Sequence, residues 1–365
     1  MHRGAAAEKV HRPPLPRVLA QPLRFLETLR ADGRPVVPFR LGGRTAHLVT
    51  EPELIARVLD EATGPAARGP WYLEPLLLPR RPRLPEPASL AEIAAERARQ
   101  RAAAWVEGSP LEMVGELRAL CLGIAWEALT GTDLDAAPDL LAELAPPRPW
   151  RRPRHERLDS ALALMIEARR GRDAGDLLGV LVAEGGADEQ IADRAWAWLA
   201  GDRTHAALVW TMWLLAQNGD AEARFHGALG GPDALAAAER VVGEALRLYP
   251  PVWASFRTAA ESLPLGDALI PKGDLVAVSP WVTQRDPRLW PDPLKFDPDR
   301  EAGPDGAFFP FADVDGDGAA RHAARIMAAL GDRWAYRQSE PGLAPAPRWA
   351  LVPAGGARLK PVPRP

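Results

Sequence analysis

Apolar residues recur at spacings of three and four from Ser89 to about Ala221, the period of amphipathic helices. The pattern breaks at Gly131-Thr132, at Pro146-Pro147-Arg148-Pro149 and at Gly185-Gly186. Between the last break and Asn218 it predicts one long helix, starting near Asp188. Upstream the rhythm differs. Val36-Val37-Pro38-Phe39-Arg40-Leu41 and Ala46-His47-Leu48-Val49 flank Gly42-Gly43-Arg44-Thr45, which predicts a β-hairpin. Thr50-Glu51-Pro52-Glu53 then opens a helix with a hydroxyl cap, an early proline and first-turn acids. The proline-rich segment 78–87 predicts a stiff linker. After Pro250-Pro251 short β-like runs, punctuated by Pro and Gly, continue to Pro310, and a final helix covers about 319–330. The chain therefore predicts a mainly α fold with small sheets. It reads as one domain over 1–365, with an arm at 1–16, a β-rich part at 17–78 and a helical body at 89–365.

Composition narrows the possibilities. The chain has 365 residues, 47% of them hydrophobic and 25% charged, enough to bury a core and stay soluble. A net charge of -3 gives no basic field for nucleic acid. No apolar run reaches the roughly 20 residues of a membrane span. The segment 1–16 lacks the apolar centre of a signal peptide, so a cytoplasmic location is expected. The single cysteine, Cys121, excludes a disulfide within the chain and reads as a small core residue.

Four motifs carry most of the information. Glu244-Ala245-Leu246-Arg247 places a carboxylate and a guanidinium one helical turn apart. Phe296-Asp297-Pro298-Asp299-Arg300 follows an Arg285-Asp286-Pro287 segment. Ala200-Gly201-Asp202-Arg203-Thr204 interrupts an apolar helix, and Phe309-Pro310-Phe311 opens a loop of 308–320. In this order and spacing they resemble the cytochromes P-450, and the N-terminal pattern most resembles bacterial members that oxidise terpenes. The resemblance covers almost the whole chain. It implies the cytochrome P-450 fold and a buried triad of Glu244, Arg247 and Arg300, which is scaffold rather than catalyst.

The same resemblance exposes departures. The family loop reads F-x-x-G-x-G-x-R-x-C-x-G. Laid on this chain from Phe309, its glycines fall on Ala312 and Val314, its arginine on Gly316, and its haem-ligating cysteine on Gly318. Glycine has no side chain to offer iron. The haem-contacting helix that should precede Glu92 is replaced by the linker, so the fold is expected to be shortened there. Arg257 remains where one propionate partner would sit. Arg203 stands at the family's acidic position before Thr204, and His205 follows it. These departures together lead to the expectation of a protein with no haem and no monooxygenase activity.

The altered residues offer other chemistry. Asp313-x-Asp315-x-Asp317-Gly318 offers oxygen ligands at a spacing suited to a divalent cation such as Mg²⁺. A calcium hand is excluded because its twelfth position is Ala324. Crowded carboxylates also raise one another's pKa, so one could act as a general acid, or the loop is simply polar and relaxed. Asp202, Arg203, Thr204 and His205 form a candidate catalytic group, with Asp202 and His205 on one helix face. Trp196, Trp198 and Trp210 on the same helix would line a cavity whose indole faces stabilise a cation. These residues suggest a haem-independent enzyme acting on a hydrophobic isoprenoid, such as a prenyl diphosphate, by cyclisation or isomerisation. Alternatively, relatives without the cysteine activate glycosyltransferases, which makes a non-catalytic partner the second reading.

Overall fold

The computed structural model describes residues 10–60, 84–133, 156–172, 175–201, 203–312, 316–339, 342–347 and 350–364. The N-terminal part holds helices α1 (Leu15–Ala20), α2 (Pro22–Arg30) and α3 (Pro52–Asp60) and strands β1 (Val36–Leu41) and β2 (Arg44–Val49). The expected hairpin is present, in antiparallel register from Val36 opposite Val49 to Leu41 opposite Arg44. Its turn needs a left-handed residue, which Gly42 supplies at φ 61°.

Sequence-distant strands complete this sheet. β4 (Ser255–Thr258) and β7 (Leu275–Val278) add to the hairpin in the order β1-β2-β7-β4, with β5 (Leu263–Leu265) and β6 (Ala268–Ile270) as a separate two-stranded ribbon between them. β2 and β7 run parallel, pairing Ala46 with Leu275 and Val49 with Val278. Parallel neighbours require a crossover, and here it is the whole intervening chain, 50–274, which holds most of the helical body. Pro38 lacks the N–H an interior strand would need, which fits the edge position of β1. Leu26, Leu29, Phe39, Leu48, Phe256 and Trp281 form a core that ties α1 and α2 to the sheet.

The helical body contains α4 (Leu90–Ala104), α5 (Met113–Thr130), α6 (Glu156–Arg169), α7 (Leu177–Ala183), α8 (Asp188–Gly201), α9 (Thr204–Leu215), α10 (Gly219–Ala228) and α11 (Ala234–Leu248). The short α12 (Pro280–Thr283) and the last helix α13 (Gly316–Gly331) complete it. β3 (Leu111–Glu112), β8 (Trp334–Gln338) and β11 (Arg358–Pro363) make a three-stranded sheet, and β9 (Pro345–Pro347) pairs with β10 (Leu351–Pro353). α5 shows why its boundaries fall where they do. The Glu112 carboxylate accepts from the Val114 and Gly115 amides at its start, and Gly131 closes its end at φ 67°. α4, α5, α9, α11 and α13 pack together around one large core. A further core joins α5 to α6, α7 and α8.

The single helix expected over 188–218 is divided. α8 stops at Gly201, Arg203 has φ -122° and ψ 13°, and α9 restarts at Thr204 and ends at Leu215. Glycine gains the most freedom when released from a helix, so the break falls beside Gly201.

Candidate functional site

The scaffold motif assembles as the family resemblance implied. Glu244 and Arg247 lie on α11 and meet through two charge-assisted hydrogen bonds, Nε to Oε2 at 2.7 Å and Nη2 to Oε1 at 2.8 Å. Arg300 Nε donates to Glu244 Oε1 at 3.2 Å, and the Asp297 amide donates to the same oxygen at 3.1 Å. Arg247 also donates to the carbonyls of Gln284, Pro293 and Lys295. Arg300 donates to those of Pro291, Asp292 and Lys295. Every charge in this buried triad therefore has partners, the condition under which such a cluster is tolerated.

From the triad the chain reaches the 308–320 loop through one residue, Gln284. Its side chain is fully buried. Its Nε2 donates to the carbonyls of Leu246 and Arg247, at 3.0 and 3.1 Å, and its Oε1 accepts the Phe309 amide at 2.8 Å. The Val252 amide holds the Pro310 carbonyl at 3.2 Å. Ala312 then turns back on Phe309, amide to carbonyl at 2.8 Å, and adopts φ 51°. That left-handed conformation suits glycine, and it occurs at the position where the family loop carries one. Sequence reasoning passed over Gln284. Its adjacency to Arg285-Asp286-Pro287 was the available signal.

Asp313 and Asp315, two of the three candidate metal ligands, lie outside the described residues, and so does the side chain of Asp317 at the start of α13. Among the described residues no cluster of His, Cys, Asp and Glu could hold a metal ion. Gly318 is the third residue of α13.

At the α8–α9 break Asp202 lies outside the described residues. Arg203, Thr204 and His205 are buried, at 6%, 2% and 8% exposure. All three have partners. Burying a guanidinium and two further polar groups beside an otherwise apolar helix is costly unless each is satisfied. The structure thus concentrates polarity at one buried point between α8 and α9.

The three candidate indoles do not converge. Trp196 donates to Asp159 Oδ1 on α6 at 2.8 Å, Trp198 to the Ala125 carbonyl on α5 at 2.8 Å, and Trp210 to the Leu351 carbonyl on β10 at 2.8 Å. Trp210 is fully buried and stacks on Tyr249 with ring centres 3.9 Å apart. Each anchors α8 or α9 to a different neighbour through its N–H, and Trp210 stands on a separate helix from Trp196 and Trp198. The helical periodicity that put them on one helix could not show that the helix breaks between Trp198 and Trp210.

The stack continues outward. Arg285 lies over Trp281 at 3.8 Å and over Tyr249 at 5.5 Å, and it donates to the Leu248 carbonyl at 2.6 Å. Burial lowers its pKa to about 10. Arg257, on β4, donates to the carbonyls of Val58 and Leu59 at 2.8 and 3.1 Å, so part of its guanidinium is committed to the end of α3.

Comparison with known proteins places these features. The cytochrome P-450 family profile matches residues 232–313, which hold the triad and the start of the loop. Cyclooctatin synthase of Streptomyces melanosporofaciens is 32% identical, covering 94% of this chain and 92% of its own. Cyclooctat-9-en-7-ol 5-monooxygenase from the same organism is 28% identical over 93% of this chain and 87% of its own. Pentalenene oxygenase of Streptomyces avermitilis is 27% identical over 78% of this chain and 77% of its own. Among solved structures, the haem domain of cytochrome P-450DA superposes with a TM-score of 0.78, covering 99% of both chains at 19% identity, which shows the shared fold.

These findings correct two expectations. The family and its solved neighbours are haem proteins, so the expectation of a chain without haem is overturned. Two of the three relatives bear oxygenase names and none is named a lyase, which removes the support for lyase chemistry. The residues at the ligand position nevertheless do not fit a thiolate-bound haem. Position 318 is glycine, and the lone cysteine, Cys121, is 1% exposed in the interior of α5. Among the described residues no helix is long and apolar enough to cross a membrane.

Proposed function

Because this chain belongs to the cytochrome P-450 family, we propose that it acts in bacterial secondary metabolism on a hydrophobic, isoprenoid-derived molecule, with the polar groups at the α8–α9 break serving that molecule. The observation that carries this reading is the near full-length similarity to bacterial terpene-pathway proteins. Sequence similarity of that extent preserves the helices that build the site, and the described core of α4, α5, α9, α11 and α13 is continuous.

The assigned roles follow from chemistry at the break. Arg203 supplies a permanent positive charge and a fork of donors. Thr204 supplies a hydroxyl that both donates and accepts. His205 supplies the one side chain whose ordinary pKa lies near neutrality, and so can hold or pass a proton. Asp202 belongs to the same group by position. A largely apolar molecule lying against α9 would meet charge here, so these residues orient one functional group while the rest is held mainly by apolar contact.

Thermal denaturation in the presence of a panel of cyclic terpene hydrocarbons and their alcohols tests the reading. A binder at one hundred times its Kd should add about 2.7 kcal/mol of stability. His205→Leu and Thr204→Val should weaken that effect for alcohols more than for hydrocarbons. Absence of any shift across the panel would refute the proposal. Hydrocarbon release from a prenyl diphosphate would instead favour cyclisation, and co-purification with a glycosyltransferase without ligand binding would favour the partner role.

A further inference from the structure

We infer that this chain presents haem iron with no cysteine thiolate, and that the carboxylate of Glu86 covers the position from which the thiolate would project. The inference rests on the fold and not on the terpene reading, so the two can fail separately.

The first half follows from where sulfur is. Cys121 is the only cysteine in the sequence. It occupies the middle of α5, within the large core shared with α4 and α9. Bringing its sulfur to a ligand would require unfolding α5, whose ends are secured by Glu112 and Gly131. No rotamer change suffices, because the core around it is close-packed.

The second half follows from what stands near Gly318. A Cβ built on Gly318 would meet Glu86 Oε2 at 3.7 Å, an ordinary van der Waals contact. The same carboxylate approaches Arg325 Nη1 at 3.6 Å. Residues 318 and 325 are seven apart, two turns along one face of α13. Glu86 therefore lies along that face rather than touching it at one point. Leu84, two residues earlier, packs against the core of α5–α8, so the irregular segment 84–87 is held at Leu84 as well as at Glu86. A side chain at 318 is thus sterically admissible, but an anionic sulfur would face an anionic oxygen. Like charges at this range disfavour the ionised form, and the thiolate is the form that binds iron.

Two measurements on the full chain test both halves. The first is the carbon monoxide difference spectrum of reduced protein expressed with haem precursor. The wild type should lack the long-wavelength band that thiolate-ligated haem shows, and Cys121→Ala should give the same spectrum. That band in the wild type, or a spectrum that depends on Cys121, would overturn the first half. The second is alkylation of the new thiol in G318C, with circular dichroism confirming the fold and G318A as the control for a side chain at this site. Adding E86Q to G318C should speed alkylation at neutral pH at least about threefold, the effect of half a pKa unit on the thiolate fraction. Equal rates with and without E86Q would overturn the placement of Glu86.

Discussion

Ala312 holds a backbone conformation that costs an L-residue about 1–2 kcal/mol, and nothing in its methyl group compensates for it. It is kept there by the Phe309 carbonyl and by the clamp of Gln284 on the Phe309 amide. Ala312→Gly should therefore stabilise the protein by about 0.5–1 kcal/mol, after the entropy glycine adds to the unfolded chain. Urea denaturation would show a higher midpoint at unchanged slope. Glu244 makes the opposite case. Its carboxylate sits between two guanidiniums at 5% side-chain exposure. Glu244→Ala leaves both cations without their anion and should cost about 3–5 kcal/mol, seen as a large fall in midpoint or as loss of soluble protein. The Glu244–Arg247 pair was legible from the Glu-x-x-Arg spacing, and Arg300 as its third member was what the family resemblance implied. The strain at Ala312 was not, because a dihedral angle depends on which loop neighbours capture the carbonyls.

α8 and α9 show what periodicity conveys and what it omits. The apolar run from Asp188 onward marked helical residues, but it did not show that they belong to two helices. The break between Gly201 and Thr204 separates Trp196 and Trp198 from Trp210, and each indole N–H then serves a different contact. Trp210→Ala should cost about 3–5 kcal/mol, from the lost volume and from leaving the Leu351 carbonyl and the Tyr249 face without a partner. Denaturant melts would register it. A ring that instead lined a ligand cavity would change ligand affinity while sparing stability, so the two measurements together separate packing from recognition. The hairpin at β1–β2 was legible in full because its turn and its partner are both local. β7 was not paired with it from the sequence, since the two strands are joined only through the helical body.

At the scale of the whole molecule, burial sets a pH limit on stability. His226, on α10, is 3% exposed and its Nδ1 has no hydrogen-bond partner. Burial lowers its pKa below the ordinary 6.5. The nearby Glu222 carboxylate works against this, Arg364 and Arg337 add to it, and a hydrogen bond to the Gly331 backbone opposes it. Protons consequently bind the unfolded chain more readily than the folded one. The stability contributed by this group is complete above pH 6.5 and is lost as pH falls through the folded pKa. Denaturation midpoints should decline as pH drops below 6.5, and His226→Gln should flatten that decline. An unchanged slope in the variant would assign the effect to other groups.

Haem is also a question of the whole molecule, and local departures are a poor guide to it. Three local departures suggested a chain without the group, whereas similarity across the full length places it in a haem-binding family. Local side chains can report which atom is missing at a position. They cannot report the occupancy of a pocket assembled from several distant helices.

Residue spacing in this chain was enough to set helix periodicity, the local hairpin and the Glu244–Arg247 pair, because each depends on near neighbours along the chain, while Arg300 was supplied by the family resemblance. Folding in three dimensions was needed to break the helix beside Gly201, to send three indoles to three partners, to hold Ala312 left-handed and to lay Glu86 over Gly318. Those outcomes depend on contacts between segments far apart in sequence, where close packing selects one arrangement among many that the hydrophobic pattern permits equally.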